Sequence, residues 1–188
     1  IAAEAFAKVS HFKPEELSNL LWAFGKVSVE DEQLFEAVAD QASPRLSAFK
    51  PVELANTAAA LAKLGLRDVE LLRGVAHEAR ARLQEFQPLD LSYIAWAFAR
   101  LGLRDAELFR AITREARSRL EDFNPQGLSD LLWAFASLNL AEERLFLAAA
   151  SQLSRELGAM HLEGLGSGEL AELATSVRRL AWALSFAG

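Results

Sequence analysis

The chain has 188 residues, is 52% hydrophobic, carries a net charge of −6 and contains no cysteine. That apolar content can fill a core and lies outside the range of disordered chains. The missing cysteine excludes a disulfide scaffold, thiolate metal ligation and a cysteine nucleophile. The acidic balance excludes a globally basic nucleic-acid binder, so any nucleic-acid contact needs a locally basic face. No run of 18 apolar residues free of charge occurs, and no membrane span is expected.

The sequence repeats itself. Phe-x-Pro appears as Phe12-Lys13-Pro14, Phe49-Lys50-Pro51, Phe86-Gln87-Pro88 and Phe123-Asn124-Pro125, a step of 37 residues. Leu17, Leu54, Leu91 and Leu128 keep that step, as do Arg45, Arg82 and Arg119. In chain order, residues 1–11 read as the end of a truncated preceding repeat. Four repeats follow at 12–48, 49–85, 86–122 and 123–157. Residues 158–169 form a Gly-containing insertion or linker, and 170–188 a partial, divergent repeat in which Trp182 takes the place of Trp133. A chain that begins and stops inside a repeat is expected to be a segment of a longer protein.

Within each repeat two helices are expected. Helix A opens at the proline, whose missing N–H would be unpaired in a first turn anyway. In the first repeat it runs from about Pro14 to Lys26. Gly65, Gly102 and Asn139 follow helix A in later repeats and tolerate the left-handed backbone that ends a helix. Helix B starts near Asp31, Asp68, Asp105 or Glu142 and is expected to reach about Leu46, Leu83, Leu120 or Leu157, with acids at its start and arginines near its end. Pro44 should kink or shorten the first helix B. Two short helices cannot bury their apolar faces alone, so stacking is required. The expected fold is all-α, an α-solenoid of 37-residue helix-turn-helix repeats.

The pair of marks "LSDLLWAFASL" in helix A and "RLSAFKPVEL" at the junction resembles the octotricopeptide and heptatricopeptide repeat proteins. The resemblance covers residues 1–157 well and 170–186 loosely. It implies RNA binding in a mitochondrion or a chloroplast, in RNA maturation, stability, translation or ribosome structure.

At about 100° per residue, Leu17, Leu20, Phe24 and Val27 share a stripe that should pack on helix B, with Leu21 beside it. Asn19 and Lys26 fall opposite. The first position varies between repeats as Asn19, Asn56, Tyr93 and Asp130; the second reads Lys26, Lys63, Arg100 and Ser137. If the array binds RNA, single-stranded or ribosomal, the four variable residues face bases and Lys26, Lys63 and Arg100 hold phosphates. The competing reading is a solvated face whose cations complement the helix C-terminus. Trp22, Trp96, Trp133 and Trp182 fall about 140° from Leu17 and serve either as contacts between adjacent A helices or as stacking platforms. Ala59 stands at that register in the second repeat, so stacking there should be interrupted. Arg80, Arg82, Arg117 and Arg119 form either a basic edge or, with Glu78, Glu85, Glu115 and Glu121, a salt-bridged face.

His11, His77 and His161 show no metal spacing, and "GLGSG" lacks the lysine of a phosphate loop. No enzymatic activity, cofactor, metal or small-molecule substrate is expected. The alternative to RNA binding is a scaffold that contacts other protein subunits of a large organellar complex, such as a mitochondrial ribosome or a photosynthetic or respiratory assembly.

Overall fold

The computed structural model describes residues 8–27, 31–140 and 142–159, together with residues 168, 171, 174, 175, 177, 178, 181, 182 and 185. The expectations for residues 1–7 and 160–167 lie outside them. Among the described residues the protein is all-helical and has no strand. The A helices are α1 (Pro14–Val27), α3 (Pro51–Leu64), α5 (Pro88–Arg100) and α7 (Pro125–Ser137). They alternate with the B helices α2 (Glu32–Ala42), α4 (Val69–Ala81), α6 (Ala106–Ser118) and α8 (Glu143–Ala159). No described helix is long and apolar enough to cross a membrane.

Local chemistry sets the helix limits. Each A helix begins at its proline. In three repeats an acid of the first turn caps it: the carboxylates of Glu16, Glu53 and Asp90 accept from the N–H of Lys13, Lys50 and Gln87 at 2.7, 2.8 and 3.0 Å. The fourth repeat inverts the cap. The side-chain oxygen of Asn124 accepts from the N–H of Gly127 at 2.7 Å, and a Cβ on Gly127 would sit only 3.0 Å from that oxygen. Burial pushes the Asp90 carboxyl above its ordinary range, against its bond from Gln87. Gly65, Gly102 and Asn139 have φ of 71°, 66° and 52°, the left-handed turn from A to B. Asp31, Asp68 and Asp105 cap the B helices.

Three of the four B helices end earlier than the sequence suggests, whereas α8 runs to Ala159. Helices α2, α4 and α6 stop at Ala42, Ala81 and Ser118, and 3₁₀ turns follow at Ser43–Ala48, Leu83–Glu85 and Leu120–Asp122. Pro44 accounts for the first of these, since it cannot donate to the helix ladder. At all three ends the periodic arginine reaches back 33 residues. Arg45 donates to the Phe12 carbonyl at 3.0 Å, Arg82 to that of Phe49 at 3.0 Å and Arg119 to that of Phe86 at 2.7 Å. Each guanidinium thus ties the end of helix B to the carbonyl just before the start of helix A in the same repeat. Phe49, Phe86 and Phe123 are buried in the core beside these clasps.

The A helices hold the array together. Helix α1 packs along α3, α3 along α5 and α5 along α7, whereas successive B helices touch more sparingly. Small residues permit the close approach: Ala55, Ala58, Ala59, Ala60 and Ala62 of α3 are all buried, and a Cβ on Gly25 would lie 3.4 Å from the Ala60 Cα. Hydroxyls cross the same seams. Ser18 donates to the Glu53 carbonyl at 3.2 Å and Ser92 to the Gly127 carbonyl at 2.8 Å. Of the stripe expected to face helix B, Leu17 and Phe24 are buried with Leu21 beside them, Leu20 is half-buried, and Phe24 meets Phe35 of α2 edge-on with ring centres 6.1 Å apart. Val27 departs from it, being 66% exposed, because it is the last residue of α1 and extends beyond that contact.

Candidate nucleic-acid interface

The A helices turn one face toward the B helices, two flanks toward each other and a fourth face outward. That outward face carries the variable position, the tryptophan and the basic position together. Their helical angles of about 200°, 140° and 180° from Leu17 span only about 60°. The tryptophan shares that face, where Trp22 makes the expected contact between A helices, with Tyr93 and Lys63, and keeps part of its surface open.

In α1, Asn19 is exposed, Trp22 half-buried and Lys26 exposed. In α3, Asn56 is half-buried and Lys63 exposed, while Ala59 between them is 1% exposed. In α5, Tyr93 and Trp96 are half-buried and Arg100 is exposed. In α7, Trp133 is half-buried and Ser137 exposed. Asp130 differs from its counterparts. It is 7% exposed and its carboxylate accepts from Gln126 at 2.8 Å, so it does not present the open edge that a base reader requires. Gln126, one turn earlier on α7, is close enough to draw it in.

Three helices converge on one cluster. The Trp22 ring lies 5.9 Å, centre to centre, from Tyr93, crossing the intervening α3. Ala59, at the tryptophan register of α3, adds no ring to this cluster and is buried. The Lys63 ammonium stands 3.7 Å from the Trp22 ring centre, a cation–π contact. A second aromatic pair forms at the other end, where Trp133 and Trp182 have ring centres 6.5 Å apart and Trp182 is 41% exposed.

The face is also electrostatically distinct. Partial burial, and then the charge of Lys26, lower the Lys63 pKa from its ordinary value. Neither lysine has a carboxylate partner among the described residues. Two like charges held close without an anion form a surface that gains from binding one. Arg82 and Arg119 belong elsewhere: beyond their clasps they face Glu78 at 3.6 Å and Glu115 at 3.4 Å, the salt-bridged alternative. Among the described residues no three His, Asp or Glu side chains converge in metal-binding geometry.

Alternating A and B helices, with cations and aromatic rings on one outward face of the A helices, make this an all-helical protein with a surface rather than an enclosed cavity as its candidate site. The chain belongs to the family of the RNA-editing substrate-binding complex 6 protein, RESC6, whose family model matches residues 1–185. No curated protein matches it. The family assignment overturns the resemblance to octotricopeptide and heptatricopeptide repeats. The residues that carry that resemblance have structural duties here. Phe and Pro build the junction, Leu and Ala fill the seams, and Ser bonds across them. Helices packed side by side can reach similar motifs in unrelated families for the same packing reasons. The family lends no support to a chloroplast or ribosomal setting.

Proposed function

We propose that the chain is an α-solenoid of 37-residue repeats and a non-catalytic, RNA-binding subunit of an RNA-editing complex. Its ligand in this reading is single-stranded RNA laid across the outward face of the A helices. Asn19, Asn56 and Tyr93 meet bases, Trp22 and Trp96 offer stacking surfaces, and Lys26, Lys63 and Arg100 hold phosphates. The observation that carries it is the convergence of Trp22, Lys63 and Tyr93 from three successive A helices beside the unpartnered Lys26. Single-strand binders combine stacking rings with a cationic track in this way. A phosphate beside Lys26 and Lys63 relieves their repulsion and favours the charged form of Lys63. The family name, that of a substrate-binding complex for RNA editing, supports this reading and a mitochondrial location.

A second reading, a scaffold contacting protein subunits, draws on the net charge of −6 and on the fourth repeat, where Ser137 replaces the cation and Asp130 is buried. The two are compatible if the first three repeats hold RNA and other surfaces hold protein. The test is the affinity of W22A and Y93A for a fluorescein-labelled oligouridine, read by anisotropy. Each lost stacking contact costs about 1–3 kcal/mol, so the double variant should bind at least about tenfold more weakly. Affinity equal to wild type in a folded double variant removes the aromatic cluster from the site.

A further inference from the structure

The opposite side of the molecule carries a second charged surface. Arg73, His77 and Arg80 of α4 recur one repeat later as Arg110, Arg114 and Arg117 of α6. The same registers read Glu36, Asp40 and Ser43 in the first repeat and Leu147, Ser151 and Ser154 in the fourth. The basic rows are thus confined to the second and third repeats, and are not a consequence of the repeat itself. Spacings of four and three residues place Arg110, Arg114 and Arg117 on one stripe of α6. All three are exposed. With Arg80, Glu107 and Glu142 they line a groove of about 530 Å³ between α4, α6 and the start of α8.

The charges in this groove do not cancel. Arg80 is committed to Glu107 and lies 3.9 Å from Asp105. Arg110 donates from Nε to the Ala106 carbonyl at 3.1 Å, which leaves its terminal nitrogens. Arg110, Arg114 and Arg117 have no carboxylate partner among the described residues. Like charges one turn apart on a helix are destabilising, and an external anion offsets that cost.

We propose that this groove docks an acidic segment of a protein partner. Three features favour a peptide over a nucleic acid. Glu107 and Glu142 sit in the same groove, where they repel a backbone charged at every nucleotide, yet they can accept hydrogen bonds from peptide N–H groups. No Trp, Tyr or Phe lines it, in contrast to the A-helix face. The free cations are all arginines, whose planar fork pairs with carboxylates through two parallel hydrogen bonds. Arginine is also among the residues enriched at protein interfaces.

The experiment compares two probes on two faces of the full chain. Fluorescein-labelled poly-glutamate and oligouridine are titrated, with anisotropy as readout, against wild type, R110E/R114E/R117E and K26E/K63E/R100E. Reversal in the groove should weaken poly-glutamate binding at least about tenfold and change oligouridine binding by no more than about twofold. Reversal on the A face should leave poly-glutamate binding in place. Circular dichroism checks folding, and R110Q/R114Q/R117Q replaces the reversed variant if helicity is lost. The proposal is overturned if wild type does not bind poly-glutamate or if the groove variant binds it normally. It is also overturned if oligouridine binding falls as far as peptide binding in the groove variant, which would make the groove a nucleic-acid site.

Discussion

Replacing Lys26, Lys63 and Arg100 together by glutamine should flatten the salt dependence of single-stranded RNA binding and lower affinity at every salt concentration. Each phosphate contact on a single strand contributes about 0.7 to the slope of log K against log salt. Losing three should reduce that slope by about 2. The effect is large because the three side chains are the cations at the recurring basic register of the A helices, with Ser137 in the fourth place. All three are exposed, so their removal should leave the core intact. The slope is the discriminating quantity. A loss of affinity through misfolding scales binding down without this systematic change, whereas loss of phosphate contacts alters the slope itself. An unchanged slope would move the RNA backbone away from this register.

The second large effect concerns stability. Phe86→Ala should destabilise the fold by about 3–5 kcal/mol, the range for truncating a buried aromatic ring. Phe86 is fully buried at the junction of the second and third repeats, and its carbonyl receives the Arg119 clasp. The site lies mid-array, so the lesion should weaken coupling between the two halves as well as lower total stability. Denaturant unfolding followed by circular dichroism should show an earlier midpoint and a broader or split transition. Leu89→Ala, three residues on and exposed, is the control and should shift the midpoint little. A loss below about 1 kcal/mol for F86A would show that the Phe-x-Pro junction is not the brace assigned to it.

These two sets of residues show what a single sequence makes legible. The Phe-x-Pro step locates every A helix because proline at the first turn has a fixed backbone consequence, and Asp31, Asp68 and Asp105 mark the B helices through their capping oxygens. The turns at Gly65, Gly102 and Asn139 are readable for the same local reason. The early ends of α4 and α6 are not. They accompany an arginine bonding to a carbonyl 33 residues away, which no window of local propensity contains. The Trp22–Tyr93 contact is hidden likewise, because its two rings stand 71 residues apart on helices separated by α3. The angular grouping of the variable, aromatic and basic positions was present in the sequence. The recurring tryptophan is legible as a contact between A helices, and Trp22 makes one with Tyr93 and Lys63. Asp130 looked equivalent to Asn19 by register alone; its burial reflects Gln126, one turn before it. The family could not be inferred from motifs whose residues serve the helix seams.

In the proposed function, RNA lies on the outward face of the A helices. Ultraviolet crosslinking of the full chain to oligouridine, followed by mass-spectrometric mapping of the adducts, tests it most directly. Adducts should fall within Pro14–Val27 and Pro88–Arg100, on Trp22, Tyr93 or Trp96. Adducts confined to the arginine rows of α4 and α6, with none on the A helices, would contradict it.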